Sequence, residues 1–260
     1  MLVTLKDILE KASREGYGVV ITRCNHSGEV RAALGAAEAK KSPIVLELRP
    51  DPIDIRNRAD YAVWLRKCCE SASVPVALSA EPEGTEEAVK AALDLGVTSI
   101  SIHEGPRRQP LSAEQVRTLT EMVHAAGCSC AGMLGDKEHP VEPDMAAAFV
   151  KETGIDCLAA ELVIRDKAGS HVDLPRLIAV REALGTSCPI ILHGGFGLTN
   201  VQYGEACSSG AAALNISKDL WKAGRDRVQA ENWDPFCSSV MAIEEALKEL
   251  ISAAGGENRA

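Results

Sequence analysis

The sequence predicts an α/β chain wound into a (β/α)8 TIM barrel, on three observations. Eight short apolar runs rich in β-branched residues recur along the 260 residues, helical patterns separate them, and no G-x-G-x-x-G fingerprint follows the first run. The runs are VVITRC (19–24), IVLELR (44–49), PVALSAE (75–81), SISIHE (99–104), CSCAGML (128–134), CLAAELVI (157–164), PIILHGG (189–195) and ALNIS (213–217). Near-continuous apolar strands are covered on both faces, as in a parallel sheet under helices. Eight strand–helix units of this length fit a closed barrel. The rival, an open doubly wound sheet, carries its dinucleotide glycines after the first strand, where this chain has none.

Taken in order, the opening MLVTLKDILEKASREG reads as a charged amphipathic helix rather than a signal peptide. GEVRAALGAAEAKK, TEEAVKAALDLG, SAEQVRTLTEMVHAAG and DMAAAFVKETG have helical periodicity, and each ends near a Gly or Lys that suits a helix stop. RPDPIDIRNRAD and EGPRRQPLS follow strands directly, at the C-terminal mouth where barrels concentrate binding and chemistry. EEALKELI reads as the closing helix, before the polar tail AAGGENRA. No linker divides the chain, so one barrel domain over 1–260 is expected.

With 28 Lys+Arg against 37 Asp+Glu the net charge is −9, which argues against nucleic acid as a partner. Aromatics at 3% argue against base-stacking platforms. No apolar run approaches the roughly 20 residues of a membrane span, so no membrane partner is expected. The nine cysteines are odd in number and contain no C-x-x-C, which fits neither a disulfide framework nor a thiolate zinc site. They read as small buried hydrophobes in a reducing, cytoplasmic setting.

Strand C-terminal ends in a barrel face one cavity. Here they present Arg23, Asn25 and His26; Glu47 and Arg49; Glu81; His103 and Glu104; Asp136 and Lys137; Arg165, Asp166 and Lys167; His193; and Asn215, Ser217 and Lys218. This mixed-charge mouth with several cations suits a small anionic metabolite, although any barrel must solvate its rim. Two segments rise above that background. In L-H-G-G-F-G (192–197), Gly194, Gly195 and Gly197 allow close backbone approach and can aim N–H groups at an anion. In N-I-S-K-D-L (215–220) a strand runs into a helix start, where unpaired N–H groups and the dipole favour an anion. Loops in these two places form the recurrent phosphate site of such barrels. The plainer alternative is that Ser217 or Asp219 merely caps a helix.

Over nearly its whole length the chain resembles the class II fructose-bisphosphate and tagatose-bisphosphate aldolases. The resemblance rests on the opening MLVTLKDILEKASREGYGV and on KSPIVL, VPVAL, GVTSI, TGIDCLA, PIILHGG and NISKDL, in the family's order. It implies a TIM barrel, a cytoplasmic homo-oligomer, and a zinc ion that polarises a ketose phosphate for C–C cleavage or formation. The family's zinc positions depart from that pattern. Glu81 falls on the acid–base Asp, Pro82 on the first zinc His, and Asp166 near the second; His193 matches the third. Ala131-Gly132-Met133 replaces a paired-Glu segment, and Arg23 stands where a substrate-contacting Asn is expected. Phe196 and Lys218 replace a polar residue and a Thr of the anion site.

One imidazole of three does not make the family's zinc site, so no metal and no cofactor are expected. The reading is an aldolase-like lyase, or related carbonyl chemistry, on a small anionic and phosphorylated substrate. Its catalytic candidates are Glu81, Asp166, Lys218 and His193. Its substrate-binding candidates are Arg23, Arg49, His103, Gly194, Gly195, Gly197, Asn215 and Ser217. Without a metal, a lysine Schiff base is the usual electron sink, from Lys218, Lys167 or Lys137. A different divalent ion on Glu81, His103, Asp166 and His193 is a variant. The alternatives are a non-catalytic metabolite-binding or regulatory homologue and a biosynthetic enzyme of another reaction class.

Overall fold

The computed structural model describes residues 1–49, 58–103, 105, 109–136, 139–167, 169–216, 218–230 and 235–260, with the side chains of Arg58 and Pro235 left aside. Of the expected mouth residues, Glu104, Lys137 and Ser217 lie outside these. The chain runs β1 (Leu2–Val3), α1 (Leu5–Glu15), β2 (Val19–Arg23), α2 (Ser27–Lys40), β3 (Ile44–Leu48), α3 (Arg58–Ser71) and β4 (Val76–Ala80). It continues through α4 (Glu86–Leu93), β5 (Ser99–Ile102), α5 (Ala113–Ala125), β6 (Ser129–Leu134), α6 (Pro143–Thr153) and β7 (Cys157–Glu161). Then come β8 (Val163–Asp166), β9 (Gly169–Val172), α7 (Leu174–Leu184), β10 (Ile190–His193), α8 (Asn200–Ser208), β11 (Ala211–Asn215), α9 (Lys218–Ala230) and α10 (Pro235–Ala253).

Eight parallel strands close a barrel in the order β4-β3-β2-β11-β10-β7-β6-β5, with β5 pairing back onto β4. This is the (β/α)8 fold the sequence predicts. Alternation along each strand sends one set of side chains outward under the helices, among them Ile44, Leu46, Val76, Leu78, Ile190 and Leu192. The inward set mixes Val19, Ile21, Val45 and Ile191 with the small Ala77, Ala131, Ala159 and Ala213. Small interior residues leave room for the charged side chains that the same alternation places nearer the mouth.

Helix α1 shuts the opposite end. Leu5, Ile8, Leu9 and Ala12 recur at helical spacing and pack with the inward residues of the barrel. Thr4 and Asp7 form a reciprocal capping box, and Gly16 stops the helix in the left-handed region at φ 70°. The N–H groups of Leu5 and Lys6 have no partners within the helix. They donate instead to the hydroxyls of Ser99 (2.8 Å) and Ser129 (3.3 Å), at the starts of β5 and β6.

Two expectations need correcting. The apolar run 157–164 is not one strand: β7 ends at Glu161, and Val163–Asp166 pairs antiparallel with Gly169–Val172 as a separate hairpin. The hairpin base is closed by the Asp173 N–H donating to the Leu162 carbonyl at 2.9 Å. Asp166, read as a strand-end residue, therefore sits exposed at the far end of the hairpin, paired in register with Gly169. Trp221, on α9, lies under Arg23, 5.5 Å from guanidinium carbon to ring centre, and its indole N–H donates to Glu29 at 2.6 Å. No described helix is long and apolar enough to cross a membrane.

Candidate active site

The ends of the strands surround a cavity of about 430 Å³. Arg23 ends β2, Arg49 and Glu81 follow β3 and β4, His103 follows β5, and Glu161, His193 and Asn215 end β7, β10 and β11. Met133, Arg165, Gly194, Gly195, Phe196, Ile216, Lys218 and Asp219 complete the wall. The structure thus gathers nine of the catalytic and substrate-binding candidates, Arg23, Arg49, Glu81, His103, His193, Gly194, Gly195, Asn215 and Lys218, together with the expected mouth residue Arg165. Asp166 and Lys167 stay on the hairpin, outside this lining, and Gly197 stands just beyond it.

Arg49 grips Glu81 with two hydrogen bonds, Nε to Oε2 at 3.0 Å and Nη2 to Oε1 at 2.5 Å. His103 Nδ1 lies 3.4 Å from the same Oε1. Burial favours the neutral acid of Glu81, but His103 and the Arg49 guanidinium oppose it and hold the carboxyl below its ordinary value. The rings of His103 and His193 meet edge to face, with centroids 5.0 Å apart. Burial lowers the pKa of both, that of His103 to about 4, against the opposing charge of Glu81; the guanidiniums Arg23 and Arg49 add to the lowering of both, and the His193 ring to that of His103. Around neutral pH these are two uncharged imidazoles beside an ionised carboxylate.

Beneath them Glu47 is closed inside the barrel at 1% exposure, and Asn215 Nδ2 donates to it at 3.3 Å. Burial, then the charge of Glu81, raises its pKa to about 7. Two buried polar atoms of the cavity residues, Arg23 Nε and His193 Nδ1, have no hydrogen-bond partner among the described residues.

The three glycines expected to serve an anion are each approached by the protein itself. A Cβ on Gly194, at φ +78°, would stand 2.9 Å from Glu161 Oε1. One on Gly195 would stand 3.0 Å from the ring of Tyr203, whose hydroxyl donates to the Gly195 carbonyl at 2.6 Å. The Gly197 N–H points at the Asp219 carboxylate, 3.2 Å from Oδ2. Lys218 is exposed at the start of α9, its ammonium 5.9 Å from the Phe196 ring centre.

Glu161 was not singled out in the sequence, yet it is a principal wall of the site. Its signal was there: Cys157, Ala159 and Glu161 alternate onto one face, and Glu161 stands opposite His193 in register. Arg165 reaches in from β8, donating Nη1 to Glu161 at 3.0 Å and Nη2 to the Gly194 carbonyl. Among the described residues, no three His, Cys, Asp or Glu side chains are grouped so as to hold a metal ion.

A closed parallel barrel whose ionisable residues converge at one mouth defines the class: a (β/α)8 barrel with a polar ligand site at its C-terminal end. Residues 3–258 match the family model described as fructose-bisphosphate aldolase class-II, and the chain belongs to that family. A fructose-bisphosphate aldolase of Geobacillus stearothermophilus is 30% identical over 235 residues, covering 84% of this chain and 81% of that one. A probable fructose-bisphosphate aldolase of Bacillus subtilis is 27% identical, covering 96% and 95%. In fold, the crystal structure of the YdjI aldolase from Escherichia coli K12 superposes with a TM-score of 0.89 at 22% identity, covering the whole of both chains.

Proposed function

We propose that this protein is an aldolase-type lyase that makes or breaks a C–C bond next to the carbonyl of a small phosphorylated substrate, without the family's zinc. The observation that carries the reading is the pair of buried, unpartnered atoms on one cavity, Arg23 Nε and His193 Nδ1. Buried polar atoms without partners are costly, and a ligand oxygen brought against either would relieve that cost. C–C cleavage leaves negative charge on the former carbonyl oxygen, and pre-placed donors stabilise such charge. Arg23 Nε always donates; neutral His193 donates from Nδ1 in one tautomer. Glu81, ionised and aligned by Arg49, with neutral His103 against it, is suited to carry the proton between substrate hydroxyl and carbon.

The residues present do not fit zinc. Pro82 supplies no donor beside Glu81, and both oxygens of Glu81 are engaged by Arg49. Guanidiniums Arg23, Arg49 and Arg165 around one cavity also repel a divalent cation. No step is therefore routed through a metal.

A second reading, a Schiff base on Lys218, is favoured by the place of that lysine on the cavity wall. One set of measurements separates these. The purified protein is incubated in heavy water with dihydroxyacetone phosphate, proton exchange is followed by NMR, and metal content is measured on the same sample. Exchange that survives a chelator in protein free of stoichiometric zinc is the expected result. Tight zinc, or chelator-sensitive exchange, would sink the metal-free reading. A borohydride-trapped adduct on Lys218 would replace the Arg23–His193 oxyanion site with the Schiff base. The family resemblance further leads to a homo-oligomer, for which sedimentation is the check.

A further inference from the structure

The cavity at the mouth has a neighbour that neither the family positions nor the proposed chemistry uses. A second cavity of about 270 Å³ lies on the other side of Glu161 and Arg165, which line both. The wall between the two is therefore an ion pair, Arg165 Nη1 to Glu161 Oε1 at 3.0 Å. Arg165 stands on the exposed hairpin strand β8 rather than on the barrel, so giving up its bonds to Glu161 and the Gly194 carbonyl would shift its side chain without moving its own backbone within a barrel strand. The rest of the second lining includes Asp136, Asp173, Arg176 and Ile164.

The charges there select one kind of ligand. Arg176 Nε donates to Asp173 at 2.9 Å, and its Nη1 donates to Glu142. Both guanidiniums of this cavity, Arg165 and Arg176, thus already face carboxylates. Three carboxylates line it, Asp136, Glu161 and Asp173, against those two cations. A phosphate entering would meet an acidic balance with the cations engaged. Hydroxyl groups would find acceptors and donors at once, and Leu162 and Pro140 give C–H faces an apolar surface.

We propose that the substrate is a ketose monophosphate with a long, neutral, polyhydroxylated tail. Its phosphate and carbonyl occupy the larger cavity, and its tail passes the Glu161–Arg165 pair into the smaller one. A second phosphate at the tail end is excluded. The proposal rests on reading the larger cavity as the phosphorylated-substrate site.

Sugar alcohol phosphates test it, because they lack the carbonyl and their binding does not depend on any lyase activity. Calorimetry on the full chain compares glycerol 3-phosphate, mannitol 1-phosphate and mannitol 1,6-bisphosphate. Mannitol 1-phosphate is expected to bind about tenfold or more tightly than glycerol 3-phosphate, and more tightly than the bisphosphate. Ile164→Trp, at a half-exposed position on the smaller cavity, should erase the six-carbon advantage and keep the affinity for glycerol 3-phosphate. Ile164→Ala, which cannot block the cavity, should keep both. Equal or tighter binding of the bisphosphate would overturn the proposal, as would an unaltered preference in Ile164→Trp or no binding of any of the three. If deuterium exchange fails while the six-carbon preference holds, the lyase reading falls and the tail site stands.

Discussion

Glu47 shows what a single carboxyl costs inside this barrel. Burial and the neighbouring Glu81 raise its pKa from 4.5 to about 7, while Asn215 partly offsets them. A carboxyl raised on folding adds no penalty below about pH 4.5, where it is neutral in both states. Its contribution turns unfavourable as pH rises from about 4.5 towards 7, because the unfolded chain ionises there while the folded protein still holds the proton, and it levels off above 7 once both states are charged. Glu47→Gln keeps an acceptor for Asn215 and removes the charge. We expect it to stabilise the protein by on the order of 3 kcal/mol at pH 8, with the gain vanishing near pH 4.5. Denaturant midpoints across that range check this, and a pH-independent gain would point to packing instead. Much of the site was legible at this scale, since Glu81, His103 and His193 follow from strand ends alone. Glu161 was less so: it sits within an apolar run, and the glycine it leans on reads as a ligand contact until the carboxylate is seen there.

Helix α1 was legible as an amphipathic segment, but its role as a plug was not. Its partners Ser99 and Ser129 lie 94 and 123 residues away, and a serine within an apolar strand gives no sign of which backbone it serves. The two hydroxyls also bond each other at 2.9 Å, so the helix start is tied to β5 and β6 together. Ser99→Ala leaves the buried Leu5 N–H without its acceptor, which should destabilise the protein by about 1–3 kcal/mol. Hydrogen exchange should place the change in the first turn of α1, with the mouth residues unaltered. Uniform acceleration across all strands would show that the plug has no separate stability. The hairpin β8–β9 escaped the sequence reading for a related reason. Leu162, Val163 and Ile164 resume the apolar run after the single Glu161, so the segment reads as one strand through the break; Gly169, at φ 118°, stands where the chain turns back.

At the scale of the molecule, the barrel closes through its shortest pairing. β4 and β5 share two register positions, Ser79↔Ser99 and Ala80↔Ile100, whereas β3 and β4 share five. Near its start β4 is flanked on that edge by β1, through Leu2↔Val76 and Val3↔Ala77. Thr98 joins the three segments: its hydroxyl donates to the Val3 carbonyl at 2.7 Å and accepts from the Leu78 N–H at 3.1 Å. β1 thus acts as a wedge that completes a seam the two barrel strands leave short, at the end opposite the ligand site. Thr98→Val preserves the shape and removes both bonds, leaving two backbone groups unpaired at a cost of about 1–3 kcal/mol. Exchange of the amides in β1, β4 and the start of β5 should accelerate first. Those of β7, β10 and β11 should keep their protection, and affinity for glycerol 3-phosphate should not change. If all eight strands lose protection together, closure is one cooperative event and the seam is no weaker than the rest. If protection falls at the mouth instead, the wedge acts across the whole barrel axis, and the site depends on the bottom of the fold as well as on its own strand ends.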